Sequence, residues 1–341
     1  MKANFRDGVL ILGRSGRVLF VDPEAADILR LAGLPSDELV GKNLSTEAAD
    51  SILCDLWHQF QAKGEQINRD YIPGDDDRAF SLSVEPFSLP EQEGGALFVV
   101  RDLTALRRLE QIQRDFVANV SHELRTPLTS IRMAAESLQL GAISDQRLKS
   151  KFLSNIQREA DRLTRLVNEL LILARIDGKT PLKLSLFDPC QLFQDVFMTM
   201  EHHSELNDIR LNWEVPESLP QVEGDRDRLN QVFINLVDNA IKCNRPGGSV
   251  TLFARPEADV LRVGVIDTGI GIPPIDLPHI FDRFYRVDKA RSRVTGGTGL
   301  GLSIVKDLIE AHGGKITVDS QLDVGTTFTI HLPWRCVPQN D

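Results

Sequence analysis

From Leu103 onward, Leu106, Leu109, Ile112, Phe116 and Val120 recur at spacings of three and four among Arg, Glu, Gln and Asp, which predicts a long amphipathic helix. Pro127 falls inside this pattern and is expected to bend or locally distort the helix. A second run of the same period, through Phe152, Ile156, Leu163, Leu166, Val167, Leu170 and Leu173, stops at Asp177-Gly178. The short connection near Gly141 makes the two helices antiparallel. A lone hairpin of this kind cannot enclose its own apolar stripes. Pairing with a second copy into a four-helix bundle buries them, so a homodimer is expected; packing on a neighbouring domain of the same chain would satisfy the same pattern.

Upstream, the pattern turns strand-like. Val9–Leu12 and Val18–Val21 flank Gly13-Arg14-Ser15-Gly16 and predict a β-hairpin. A helix is expected from Pro23 to Arg30, and strand-like stretches return at Phe80–Val84 and Ala96–Val100. Together these outline an α+β domain over residues 1–101, followed by a connector and hairpin at 102–180. Mixed helical and strand patterns with glycine clusters then predict an α/β domain over 181–341. A chain of 341 residues accommodates two or three cores at about 150 residues each.

Composition narrows the function classes. With 42% hydrophobic and 26% charged residues, packed interiors are expected and general disorder is not. A net charge of -10, from 39 basic and 49 acidic residues, disfavours a broad nucleic-acid-binding face. The longest apolar runs, such as Leu170–Ala174, fall far short of the roughly 18 residues needed to span a bilayer. Met1–Asp7 shows no secretory signal pattern. The expected location is the cytoplasm, with the chain either free or the cytoplasmic portion of an anchored protein. Cys54, Cys190, Cys243 and Cys336 form no Cys-x-x-Cys pair, which argues against a zinc ribbon or a disulfide framework.

The first helical pattern carries His122 beside Glu123. At roughly 100° per residue, His122 lies more than a right angle from the Phe116 stripe, towards solvent. Such pairs are common on solvated helix faces, and one alone would mean little. A zinc-protease helix is excluded because the fourth residue after His122 is Thr126 rather than a second His. As a nucleophile, a neutral imidazole offers one ring nitrogen to a phosphoryl group. A carboxylate at the other nitrogen removes the proton made acidic as the bond forms, which makes Glu123 the candidate base.

Further along, Asn235 and Asn239 share a face of a predicted helix over Asn230–Lys242. Two amide oxygens and the Lys242 ammonium suit a triphosphate with Mg²⁺, although polar surface amides would give the same pattern. Val265–Pro273 reads as a strand ending in Asp267, with Gly269 and Gly271 beyond. There a carboxylate can accept from an exocyclic amine while the glycines admit a flat base. Gly296–Ile304 leads into a helix and offers backbone N–H groups to phosphate, without the lysine that closes a P-loop. Phe281–Arg293 is basic and aromatic in an acidic protein, and suits either a lid over an anionic ligand or a solvated charged loop. Gly325–Leu332 reads as a turn and closing strand.

The order and spacing of these motifs from His122 to Phe328 closely resemble the sensor histidine kinases of two-component systems. The resemblance covers about two-thirds of the chain. It implies a multidomain α+β protein with a dimeric four-helix bundle and a C-terminal α/β sandwich of the ATPase family shared with gyrase and the Hsp90 chaperone. It also implies His122 as phosphoacceptor, Glu123 as its acid–base partner and Thr126 at a position linked to phosphatase activity. Asn239 matches the Mg²⁺ ligand, with Asn235 and Lys242 near metal or phosphates. Asp267 matches the adenine-reading carboxylate, shaped by Gly269 and Gly271, and Thr326 lies near the base of that pocket. Phe281 and Phe284 fall in the lid, and Gly297, Thr298, Gly299, Leu300 and Gly301 in its glycine-rich hinge. Cys243-Asn244 departs from the family, which commonly has an aromatic residue packing on the nucleotide there.

The first hundred residues resemble a PAS sensory domain, on the hairpin near Gly16, the helix after Pro23, Gly41-Lys42-Asn43 and the strand Phe98–Asp102. Asp22 stands where many such domains carry Asn. Leu44 stands where the blue-light flavin subgroup has its reactive Cys, so flavin-adduct chemistry is not expected; the resemblance names no PAS ligand, and a purely structural dimerisation module fits as well. The implied partners are a second copy and the receiver domain of a response regulator, with ATP and Mg²⁺ bound. A gyrase-like clamp ATPase would usually carry Glu where this chain has Asn235, which disfavours efficient hydrolysis. A non-catalytic scaffold is the remaining rival.

Overall fold

The computed structural model describes residues 7–25, 40–44, 52–72, 78–89, 92–178, 180–257, 259–287 and 297–333. Residues 26–30 of the helix expected after Pro23, residues 288–293 of the basic segment, Gly296 and Cys336 lie outside them. The chain divides into two compact units, Met1–Val117 and Ala118–Asp341.

In the first unit, β1 (Asp7–Leu12), β2 (Val18–Val21), β3 (Ile67–Tyr71), β4 (Phe80–Leu89) and β5 (Gln92–Asp102) form an antiparallel sheet in the order β2-β1-β5-β4-β3. The expected hairpin is present, with Leu10 opposite Val21. Alternation along the strands buries Leu10, Leu12, Val84, Phe98 and Val100 against Leu53, Leu56, Trp57 and Phe60 of α1 (Ile52–Lys63). Asp22 ties the next segment to the sheet, accepting from the N–H groups of Val9 at 2.8 Å and Ala25 at 2.5 Å. Leu44 is fully buried in this core.

The sheet feeds directly into α2 (Thr104–Gln139). Asp102 accepts from the Thr104 N–H at 2.8 Å, Thr104 Oγ1 accepts from the Ala79 N–H at 3.0 Å, and Arg107 pairs with Asp70 at 2.6 Å. The first turn of the connector is thus fastened to β3 and the start of β4. The helix runs on through Pro127, which is buried and lacks the N–H that would reach the Glu123 carbonyl. After Gly141, at φ 119°, Asp145 caps α3 (Gln146–Asp177) by accepting from the N–H groups of Arg147 and Leu148. Only Pro127 and Ala134 on α2, and Arg162, Leu166 and Leu173 on α3, are buried. Leu109 and Ile112 are more than 60% exposed, so the predicted stripe is uncovered in the single chain.

Beyond the hairpin lie β6 (Ser185–Phe187), α4 (Pro189–Leu206), β7 (Arg210–Glu214), β8 (Val222–Gly224) and α5 (Arg226–Lys242). They are followed by β9 (Ser249–Glu257), β10 (Val260–Asp267), α6 (Gly301–Ala311), β11 (Lys315–Gln321) and β12 (Gly325–Pro333). The main sheet runs β11-β12-β10-β9-β7, and only β7 and β9 are parallel. Helices α4, α5 and α6 layer against it, giving the α/β sandwich the motifs imply. Among the described residues no helix is long and apolar enough to cross a membrane.

Candidate active site

His122 is exposed on α2, as its angular position predicts, and Thr126 one turn later donates its hydroxyl to the His122 carbonyl at 3.2 Å. Glu123 is half-buried between two cations. Arg162 Nη2 of α3 donates to its Oε2 at 2.7 Å, and Arg286 Nη1 lies 3.6 Å from its Oε1. The carboxylate beside the histidine is therefore held to the second helix of the hairpin and engaged from the nucleotide domain.

The nucleotide motifs converge on the ends of β10 and α5 and on the start of α6. Asp267 is buried at the end of β10 and accepts from the backbone N–H of Gly269 at 2.8 Å and of Thr326 at 3.3 Å. Both donors reach Oδ1, so Oδ2 is the oxygen available to a ligand amine. Burial pushes this carboxyl up to about 6 against those two bonds. Gly271 sits at φ 67°, and a Cβ there would collide with the Gln321 backbone. The Ile270 N–H donates to the Cys243 carbonyl at 3.0 Å, which closes the Asp267 loop onto the end of α5.

Asn235 and Asn239 lie on α5 as expected, each half-buried. Asn235 accepts from Gln231 at 2.8 Å and donates to the Gly301 carbonyl at 3.5 Å, linking α5 to the glycine loop. The Cys243 thiol donates to Asn239 Oδ1 at 3.8 Å. Lys242 pairs with Asp238, which His203 Nε2 approaches at 3.4 Å. His312, capping α6, accepts from the Asp225 N–H at 3.0 Å through Nε2, while its Nδ1 lies 2.7 Å from the Leu308 carbonyl. That ring fixes the N-cap of α5 to the far end of α6.

Gly297, Thr298, Gly299 and Leu300 lead into Gly301 at the start of α6, and Leu300 and Thr298 are buried. Gly299, at φ 77°, receives the Phe284 N–H at 2.9 Å on its carbonyl, and a Cβ on it would lie 2.8 Å from the Phe284 backbone. Phe284 itself takes φ 65°, a strained value for an aromatic residue. Phe281 is anchored rather than loose: its ring meets Phe328 edge-on at 6.3 Å, with Lys306 at 6.0 Å.

The donor set fits ATP with Mg²⁺. It combines a buried carboxylate with one oxygen open to an amine, glycines where a side chain would not fit, and paired amides on α5, which ends in a lysine, across from the start of α6. Several residues that hold this site were not expected from local motifs. Arg162, Glu169 and Asp177 of α3 meet Glu123, Thr298 and Arg283 across the fold, and Arg283 also bonds Asp307 at 3.1 Å. Their only sequence signal is charge on a helix face that also carries the apolar stripe.

Residues 3–108 match the family described as PAS fold. Residues 112–179 match the His Kinase A (phospho-acceptor) domain, and 224–335 the histidine kinase-, DNA gyrase B- and HSP90-like ATPase. Over 99% of its length the chain is 37% identical to the sensor histidine kinase WalK of Bacillus subtilis (strain 168), covering 55% of that protein. It is 34% identical over 98% of its length to a sensor protein kinase WalK of Staphylococcus aureus, covering 80% of it. Among solved structures, the histidine kinase ThkA in complex with the response regulator protein TrrA superposes with a TM-score of 0.55, at 25% identity over 96% of each chain. The Acinetobacter baumannii histidine kinase AdeS gives 0.51 at 26% identity, over 63% of this chain and 98% of that one. The chain spans about half the length of the Bacillus relative.

Proposed function

Because the chain belongs to the sensor histidine kinases of two-component systems, we propose that it phosphorylates His122 from ATP. The phosphoryl group then passes to an aspartate of a separate response regulator, and the same protein acts as that regulator's phosphatase. The observation that carries this reading is the exposed His122 beside Glu123, which Arg162 holds at 2.7 Å in the same compact unit as the nucleotide cradle. One ring nitrogen attacks the terminal phosphorus, the bond to the ADP oxygen breaks, and Glu123 takes the proton from the other nitrogen. Asp267 reads the adenine amine, Gly269, Gly271 and Thr326 shape the base pocket, and Asn235, Lys242 and residues 297–301 hold the phosphates. Phe281 and Phe284 frame the lid. Mg²⁺, held at Asn239, supplies charge neutralisation on the phosphates. Thr126 orients water for the phosphatase reaction.

A second copy covers the uncovered hairpin stripe, and the protein works in the cytoplasm, free or anchored through further chain. Signals from the first domain reach His122 by movement of the Leu103–Phe116 connector, whose first turn is bonded to the sheet. Incubation with γ-labelled ATP tests the reading: acid-labile, alkali-stable label is expected on the wild type and none on His122→Ala. Nucleotide binding without label on His122 would refute it.

A further inference from the structure

The hairpin inserts a carboxylate into the phosphate end of the nucleotide cradle. Glu169 of α3 accepts a hydrogen bond from Thr298 Oγ1 at 2.5 Å, and Thr298 is only 7% exposed. Thr298 lies in the glycine loop that opens α6, and its oxygen accepts from the Leu300 N–H at 3.3 Å. Glu169 is also near enough to Lys242 and Asp238 of α5, and to Arg165 on its own helix, for all three charges to act on it. Burial pushes its carboxyl above the usual carboxylate range, opposed by the Thr298 bond and by Arg165 and Lys242. Two arginines from the opposite side of the loop hold the same arrangement. Arg283 grips Asp177 at the end of α3 through two bonds of 2.8 Å, and Arg286 lies beside Glu123.

An anion therefore already sits on the loop hydroxyl, in the field of the lysine that faces incoming phosphate. Two negative groups repel in such an enclosed corner and cannot share the same donors. We propose that Glu169 is an internal competitor of the ATP phosphates: with the nucleotide domain resting on α3, its carboxylate occupies the Thr298 hydroxyl of the glycine loop, in the field of Lys242, and ATP displaces it. This rests on the ATP reading above. By linkage, whatever factor docking takes from ATP affinity, bound ATP takes from docking. Loading the nucleotide is then the event that loosens the domain from the hairpin and leaves it able to reach His122.

Calorimetric titration of the whole chain with ATP·Mg²⁺ and with adenosine tests this. Glu169→Gln and Glu169→Ala are expected to bind ATP roughly five- to twentyfold more tightly than wild type, with adenosine affinity unchanged. Asp177→Asn loosens the same docked arrangement from outside the cradle, so it is expected to tighten ATP in the same direction and keeps the test valid should Glu169→Ala fold poorly. ATP affinity equal in wild type and all three variants overturns the proposal and leaves the ATP reading standing. An equal gain for adenosine also overturns it, since the competition would not be for phosphate. Failure of every form to bind ATP refutes the ATP reading itself, and the proposal with it.

Discussion

Arg162 Nη2 meets Glu123 Oε2 at 2.7 Å across the hairpin, joining α3 to the residue beside His122. Arg162 is 8% exposed and has Glu159 3.9 Å away, so its guanidinium is oriented by two carboxylates. The rotamer of Glu123, the proposed general base, is thus set by the other helix. Arg162→Met should slow His122 phosphorylation about tenfold and leave ATP affinity unchanged, while leaving Glu123 without this partner costs about 1–3 kcal/mol of stability. Single-turnover labelling across pH, beside chemical melts, checks this. A lower melting point with an unchanged rate would make Arg162 a packing residue alone.

Asp267 yields two pH predictions of opposite sign. With both backbone donors on Oδ1, a proton on the carboxyl falls on Oδ2 and opposes an amine donor there, and the carboxyl is pushed up to about 6, so ATP affinity should fall as pH drops below that value. For stability, a raised value in the fold means the ionised carboxylate destabilises it above about 6, and the penalty fades as pH falls through that point. The amide oxygen of Asp267→Asn can keep both backbone N–H bonds, which reach one oxygen. That variant should bind ATP at least about 100-fold more weakly. Near pH 7.5 it should melt no lower than wild type, gaining up to about 3 kcal/mol. Titrations and melts near pH 5.5 and near pH 7.5 decide it; marked destabilisation near pH 7.5 would contradict the burial argument.

Much of this architecture is legible in sequence because it is local. The stripe from Leu103 to Leu173, the Asn235–Asn239 spacing and the acidic end of β10 each declare themselves within a few turns or one strand. Helix α1 is harder to read: its core residues Leu53, Leu56, Trp57 and Phe60 span only about two turns. The contacts that set the state of the site are non-local. Glu169 and Thr298 are separated by 129 positions and Asp177 and Arg283 by 106, so neither pairing has a periodicity to betray it. His312 reads as one more polar residue at a helix end until the Asp225 N–H is seen on its ring.

Gly299 carries the most exacting backbone in the loop. It sits at φ 77°, with the Phe284 backbone 2.8 Å from where a Cβ would be, and Phe284 is itself left-handed at φ 65°. Gly299→Ala must move both segments, at a cost of about 1–3 kcal/mol, and should separate the Phe284 backbone from the glycine loop. Nucleotide binding should be lost while the sheet core survives, which a titration beside far-ultraviolet circular dichroism reports. Retained ATP affinity would show that the loop closes on nucleotide without the Phe284 contact.

Cys243 ends α5 with its thiol 3.8 Å from Asn239 Oδ1, half-buried at the edge of the cradle. Cys54, by contrast, is 2% exposed, and burial pushes the Cys190 thiol up and away from its reactive thiolate form. A small alkylating reagent such as iodoacetamide should therefore modify Cys243 ahead of those two, and ATP·Mg²⁺ should protect it by covering the amide beside it. The added group would crowd Asn239, the proposed metal ligand, so the alkylated protein should fail to bind ATP. Cys243→Ser should bind ATP within about threefold of wild type and keep that affinity after the reagent. Peptide mass mapping identifies the modified thiol and separates it from Cys336. Equal alkylation of Cys243 with and without ATP·Mg²⁺ would place the phosphates and their metal away from Asn239.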